Sequence, residues 1–110
     1  MHPNVLVEIK ICNLANVCEV LETIANINAN VDILINCAGV FPIGRMDDVE
    51  LGEYNECISV NLTAPFLLIK AFSKKMIEKK WGRIINIASS SAYAGSPRTA
   101  IYCASKHALL

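Results

Sequence analysis

Two short apolar runs on either side of one long helical pattern constrain the fold of this chain most strongly. Residues 31–36 and 83–88 are short and mostly β-branched, which is typical of buried strands. The residues between them carry apolar side chains at helical spacing as far as Ile77. A strand, a helix and a second strand in this order predict a parallel α/β sheet.

The long helix has start and stop signals in the sequence. Asp47 followed by Glu50 has the spacing of an N-terminal capping box, so we expect the helix to begin at Asp47. Lys79 and Lys80 suit the negative end of the helix dipole, and Gly82 stands where a C-terminal cap is expected. The sequence therefore predicts a single helix between the two strands.

The flanking segments add one strand and two helices to the prediction. β-branched residues alternate with other residues from Val5 to Cys12, which indicates a strand near the edge of the sheet. Asn16 followed by Glu19 resembles a capping box, and the helix that it starts is expected to end near residues 26–30. A last helix is expected over residues 98–110.

The composition excludes several classes of function. Ten Lys and Arg balance ten Asp and Glu, and this zero net charge argues against a nucleic-acid partner and a polybasic membrane surface. No apolar run approaches the roughly 18 residues of a membrane span, and residues 1–4 lack the basic start of a secretory signal. Five cysteines, none in a Cys-x-x-Cys spacing, argue against a metal site and favour reduced thiols in the cytoplasm.

Polar residues with chemical uses follow the predicted strands and lie on the last helix. Tyr102 and Lys106 share one helix face, although alone such a pair is more often a surface tyrosine beside a solvated lysine. Asn36 to Gly39 lie past the carboxyl end of a buried strand, where open α/β sheets place ligands. Ser89 ends the next strand, thirteen residues before Tyr102, and its two neighbouring serines are near alternatives. Asn61 lies within the long helix.

These residues fall into four motifs that follow the order of one family. The motifs are Asn36-Cys37-Ala38-Gly39, Val60-Asn61-Leu62-Thr63, the run from Gly82 to Ser89, and Tyr102 to Lys106. On these motifs the chain resembles the short-chain dehydrogenase/reductase family, and within it the 3-oxoacyl-(acyl carrier protein) reductase-like members. The resemblance implies an NAD(P)-dependent oxidoreductase with a partial Rossmann-type, doubly wound parallel sheet, containing three strands and three helices of the parent fold.

The resemblance implies catalytic roles for four residues. Tyr102 would be the general acid/base while NAD or NADP exchanges hydride with a small carbonyl or secondary alcohol substrate. Lys106 would stabilise the tyrosinate and bind the nicotinamide ribose, and Ser89 would donate a hydrogen bond to the substrate carbonyl. The main-chain oxygen of Asn61 would hold a relay water. Pro65, which has no N–H, would keep that oxygen available, unless it is an ordinary proline kink.

The resemblance also implies cofactor and subunit contacts. The residues expected to bind the cofactor are Asn13, Leu14, Asn36, Ala38, Gly39, Tyr102 and Lys106. Small side chains after the first buried strand would permit close backbone approach, whereas Asn13 stands where relatives often carry an aspartate beside the adenine. The helices at 48–80 and 98–110 would pair with their copies in a neighbouring subunit and make the protein a homo-oligomer.

The glycines do not form the phosphate-binding turn of this family. Such a turn needs closely spaced glycines at the start of a helix, and no two of the five glycines are two residues apart. We therefore expect residues 1–110 to be the central catalytic segment of a single NAD(P)-binding Rossmann domain, truncated at both ends. Two functions stay open: a segment of an active oxidoreductase, and a catalytically incompetent fragment that only self-associates through its helices.

Overall fold

The computed structural model describes residues 5–110. The expected lack of a secretory signal, argued from residues 1–4, therefore lies outside the described residues. In chain order the elements are helix α1 (Val17–Ala25), strand β1 (Ile33–Asn36), helix α2 (Leu51–Ile58), a π-helical segment (Ser59–Thr63), helix α3 (Ala64–Glu78), strand β2 (Arg83–Asn86), a 3₁₀ turn (Ser90–Ala92) and helix α4 (Ala100–Ala108).

The two strands form a parallel sheet, as the sequence predicts. Ile33 lies opposite Arg83, and Asn36 lies opposite Asn86, so both strands end at the same edge of the sheet. Helix α3 packs against both strands, and α1 packs against α3. This arrangement brings the loops after β1 and β2 together above the ends of the strands.

The strand predicted at residues 5–12 is not formed. Its apolar side chains are exposed, with Leu6 at 98% and Ile11 at 94% of full accessibility. A strand needs a neighbour that completes its ladder of hydrogen bonds. Within residues 5–110 the sheet contains only β1 and β2, which pair with each other. The strand predicted from the alternating pattern is therefore wrong for the described residues.

The start of the long helix lies later than predicted. Glu50, not Asp47, is the N-cap, because the Glu53 side chain accepts a hydrogen bond from the Glu50 N–H at 3.0 Å. Asp47 instead binds Arg45, with 3.0 Å between Nε and Oδ1. The Arg45 guanidinium lowers the pKa of the Asp47 carboxyl.

The end of the long helix also differs from the prediction. Lys80, with a φ of 57°, occupies the left-handed cap position expected for Gly82. Its N–H bonds to the Ile77 carbonyl, and the N–H of Trp81 bonds to the Met76 carbonyl, both at 3.0 Å. Gly82 is required for space instead, because a β-carbon there would lie 2.4 Å from Cγ of Met76.

The start of α1 is close to the prediction. Asn16 caps the helix, and its Oδ1 accepts from the N–H groups of Cys18 and Glu19 at 3.1 and 3.3 Å. The Glu19 carboxylate reaches past the cap to the N–H of Asn13 at 2.9 Å. These bonds fix the segment that leads from Asn13 into the helix.

Candidate active site

Asn61 holds the turn after β1 by a pair of hydrogen bonds. Its side chain is fully buried within the π-helical segment. Oδ1 accepts from the N–H of Val40 at 2.8 Å, and Nδ2 donates to the carbonyl oxygen of Val40 at 2.9 Å. Because the backbone N–H can only donate and the carbonyl can only accept, this pairing fixes the orientation of the amide.

Two carbonyls in and beside the π-helical segment lack their usual helical donors. The N–H of Ala64 bonds to the carbonyl of Ser59, five residues back, instead of to that of Val60. In an α-helix the carbonyl of Asn61 would accept from residue 65, but Pro65 has no N–H. Insertions of this kind are frequent at functional sites because they redirect side chains and release backbone groups.

The Lys106 side chain is buried although it carries a charge. It is 4% exposed, and its Nζ donates to the carbonyl oxygen of Ile87 at 2.8 Å. A β-carbon at Gly39 would lie 3.4 Å from this Nζ and 3.5 Å from Oδ1 of Asn61. Gly39, Asn61 and Lys106 therefore meet at one point.

Tyr102 lies one helical turn before Lys106 on α4. The centre of its ring is 5.9 Å from Nζ of Lys106. The ring also contacts Phe41 edge to face, with 4.4 Å between centroids and 83° between planes. Such contacts contribute roughly 0.5–1.5 kcal/mol beyond the area that they bury. Phe41 was not predicted from the sequence, although its place two residues after Gly39 puts it on the same turn.

Ser105 and Cys57 fill the space behind Asn61, and both are fully buried. The Ser105 hydroxyl donates to the Tyr102 carbonyl oxygen at 2.8 Å and accepts from Nδ2 of Asn61 at 3.0 Å. The Cys57 thiol donates to the same hydroxyl oxygen at 3.7 Å. Burial raises the pKa of this thiol, which favours its neutral form. Neither residue was predicted from the sequence. The only local signal is that Ser105 directly precedes Lys106.

Ser89 lies half-buried in the loop after β2. Its Oγ accepts from the N–H of Ser91 at 3.2 Å and so caps the 3₁₀ turn. This bond uses an oxygen lone pair and leaves the hydroxyl proton for another acceptor. Ile87, which binds Lys106, lies two residues earlier on the same segment.

Asn36 faces the neighbouring strand. Its Nδ2 donates to Oδ1 of Asn86 at 2.8 Å, and Nδ2 of Asn86 donates to the Leu109 carbonyl oxygen at 3.3 Å. These bonds join β1, β2 and the end of α4. Oδ1 of Asn36 is buried and has no hydrogen-bond partner among the described residues.

Of the other residues predicted to bind the cofactor, some line a common cleft and Asn13 does not. Leu14, Asn36 and Ala38 line one cleft of about 140 Å³, and Pro65 lies on its other wall. The exposed Asn13 is not among the residues lining this cleft. Its Oδ1 accepts from the N–H of Ala15 at 3.0 Å.

No helix of the described chain has the length and apolar character needed to cross a bilayer. Within residues 5–110, no three His, Cys, Asp or Glu side chains are grouped so that they could hold a metal ion.

Comparison with known proteins places this geometry in a family. The short chain dehydrogenase model matches residues 4–110. The 3-oxoacyl-[acyl-carrier-protein] reductase FabG of Rickettsia typhi is 42% identical over 102 residues, covering 93% of this chain and 42% of that enzyme. The chain thus spans less than half the length of this curated relative.

Solved structures show the same relationship. A metagenomic short-chain oxidoreductase in complex with NADP has a TM-score of 0.86 and 35% identity, over 93% of this chain and 47% of that one. A 4-hydroxyisoleucine dehydrogenase complexed with NADH has a TM-score of 0.82 and 36% identity, over 94% of this chain and 43% of that one.

The fold and these similarities define a partial Rossmann-type α/β protein with a parallel sheet, as the sequence predicts. The chain belongs to the short-chain dehydrogenase family.

Proposed function

We propose that this chain supplies the catalytic residues of an NAD(P)-dependent oxidoreductase that moves a hydride between nicotinamide and a carbonyl or secondary alcohol. The observation that carries the proposal is the buried Lys106 ammonium, bound to Ile87 and adjacent to Gly39, one turn from Tyr102. Burying a charge is costly, and such a charge in a site is a candidate for chemistry. On this proposal residues 1–110 are part of a single nucleotide-binding domain.

The turn after β1 fits a nicotinamide dinucleotide. Cys37, Ala38 and Gly39 are exposed and small, so a ligand can approach their backbone closely. Leu14, Asn36 and Ala38 would hold the adenosine side of the molecule, and Lys106 and Tyr102 its nicotinamide ribose. The bound cofactor, NAD or NADP, supplies or accepts the hydride. Relatives solved with NADP and with NADH support this assignment.

Tyr102 gives its phenolic proton to the substrate oxygen during reduction and takes a proton back during oxidation. Lys106 favours the tyrosinate that forms. Its Nζ lies 5.9 Å from the centre of the Tyr102 ring, so its positive charge attracts the negative charge of the tyrosinate. The Ser89 hydroxyl donates a hydrogen bond to the same substrate oxygen and so stabilises the charge that develops there. The main-chain oxygen of Asn61, which Pro65 cannot serve, holds a water that replenishes the proton.

The similarity to a 3-oxoacyl-[acyl-carrier-protein] reductase makes a 3-oxoacyl thioester the first substrate to test.

We further propose a homo-oligomer formed through the helices at 48–80 and 98–110. Exposed apolar side chains on the first of these, Leu51, Tyr54 and Phe66, support such a contact. The five cysteines are all free thiols, which fits a reducing compartment such as the cytoplasm.

The proposal is tested by oxidation of NADH and NADPH with acetoacetyl-CoA. Two proteins are assayed: the 110-residue chain, and the Rickettsia typhi enzyme with its matching 102-residue segment replaced by this chain. We expect thioester-dependent turnover in the hybrid, lowered at least about 100-fold by Tyr102→Phe.

Tyr93→Phe is the matched control, because the Tyr93 side chain is 78% exposed. The turnover of the hybrid carrying Tyr93→Phe should stay within about twofold of that of the parent hybrid. A folded hybrid without turnover, or one in which both tyrosine variants behave alike, would contradict the proposed function. For the 110-residue chain we expect weak binding of either nucleotide, since its glycines form no phosphate-binding turn.

A further inference from the structure

We infer that Ser105 is a positioning residue that ties the turn after β1 to the helix carrying Tyr102 and Lys106. The inference rests on the proposed function, because it concerns the placement of those two residues. Ser105 is fully buried, so it acts through its neighbours and not on a substrate.

The hydrogen-bond directions around Ser105 are determined by its chemistry. A serine hydroxyl has one proton to donate and two lone pairs to accept with. The Tyr102 carbonyl can only accept, so it takes the proton, at 2.8 Å. The lone pairs accept from Nδ2 of Asn61 at 3.0 Å and from the Cys57 thiol at 3.7 Å. The hydroxyl is therefore saturated.

These bonds form one connected path between the two parts of the site. It runs from Val40 through the Asn61 amide to Ser105 and the Tyr102 carbonyl. Within α4 the Tyr102 carbonyl is also the regular acceptor for the N–H of Lys106, four residues later. A shift of Asn61 would therefore move Val40 and the adjacent Gly39 relative to the helix that carries both reactive side chains.

Removal of the hydroxyl should loosen this path at one point. In Ser105→Ala, Nδ2 of Asn61 keeps the Val40 carbonyl and is left with only the Cys57 sulfur, at 3.5 Å, as its second acceptor. A residue that merely filled space would destabilise the whole domain, whereas a positioning residue should loosen the Val40 turn first.

Amide hydrogen exchange in the ¹⁵N-labelled 110-residue chain separates these outcomes. The Val40 N–H reports on the path, and the Ile87 N–H, bonded to the Asn36 carbonyl at 2.9 Å, reports on the sheet. In Ser105→Ala we expect Val40 to exchange about tenfold faster, while Ile87 stays within about twofold. Ser73→Ala, a half-buried serine on α3, is the control and should change neither rate.

Equal acceleration at Val40 and Ile87, or no change at Val40, would overturn the inference. If Ser105→Ala does not fold, Ser105→Cys keeps a group that can donate and accept, and it should give an acceleration of less than about tenfold that is confined to Val40. In the hybrid enzyme we expect Ser105→Ala to lower kcat about tenfold, with KM for acetoacetyl-CoA within about twofold. Failure of the proposed function would appear separately, as turnover that survives Tyr102→Phe.

Discussion

Close contacts decide the role of single residues that look like turn formers in the sequence. Gly82 has the residue type and the position expected of a helix C-cap, yet Lys80, two residues earlier, adopts the left-handed conformation. What Gly82 supplies is the absence of a side chain beside Met76. The need for glycine at position 82 comes from tertiary packing, which the local sequence does not reveal. At Gly39, by contrast, a β-carbon would make only ordinary contacts, the nearest 3.4 Å from Nζ of Lys106.

Alanine substitutions at two glycines should therefore have opposite effects. Gly82→Ala places a β-carbon 2.4 Å from Cγ of Met76, and we expect the free energy of unfolding to fall by about 1–3 kcal/mol. Gly52→Ala is the control: it lies in α2, a β-carbon there would meet nothing outside its own helical turns within 4 Å, and the free energy should rise by up to about 1 kcal/mol. Urea unfolding measures both values. Equal stability of Gly82→Ala and the parent would show that Met76 moves aside.

Local signals explain which site residues could be predicted. The helical spacing of Tyr102 and Lys106 is a property of the chain, and it is retained on α4. The contact between Asn61 and Val40 joins residues 21 positions apart and depends on how the helix crosses the turn. The hydroxyl of Ser105 meets Asn61 and Cys57, two of its three partners, only through that crossing. Such residues become visible once the fold is known, because no periodicity encodes them.

Helices and strands that depend on local sequence signals are predicted well, whereas those that depend on distant residues are not. β1, β2 and α1 are within a few residues of their predicted bounds, since capping and apolar runs are local. The segment 5–12 has the alternation of a strand, but pairing depends on a neighbour elsewhere in the chain. The long helix is predicted as one helix in which Pro65 frees the Asn61 carbonyl or introduces a kink, and the π-helical form of its middle is not predicted. Apolar spacing does not distinguish an α-helical turn from a π-helical one.

Pro65 is expected to maintain the π-helical segment. In Pro65→Ala the new N–H lies four residues after Asn61, so we expect it to bond to that carbonyl and close an α-helical turn. Hydrogen exchange at residue 65 should then be slow. Pro42→Ala, in the loop after β1, is the control, and its new amide should exchange rapidly. Fast exchange at residue 65 would show that the bonds of the Asn61 side chain, and not the proline, hold the segment open.

At the scale of the whole molecule, strand β1 has one buried and one exposed face, whereas β2 is mostly exposed. Leu34 and Asn36 are buried, whereas Ile33 and Ile35 on the same strand are 53% and 57% exposed. Helix α3 packs against the strands. An exposed apolar face of this kind agrees with the high apolar fraction of the sequence, 54%, which predicts surface that another element or subunit covers.

Threonine substitutions in β1 should distinguish its two faces, and threonine is chosen because its β-branched shape suits a strand. Leu34→Thr loses a buried side chain, and we expect the free energy of unfolding to fall by about 2–4 kcal/mol. Ile35→Thr changes a side chain that is already mostly in solvent, so the loss should stay below about 1 kcal/mol while binding of an apolar fluorescent dye decreases. Unfolding in urea at several protein concentrations measures both effects. If Ile35→Thr were as destabilising as Leu34→Thr, and more so at high concentration, a second copy of the chain would cover this face, and association would not be confined to the helices.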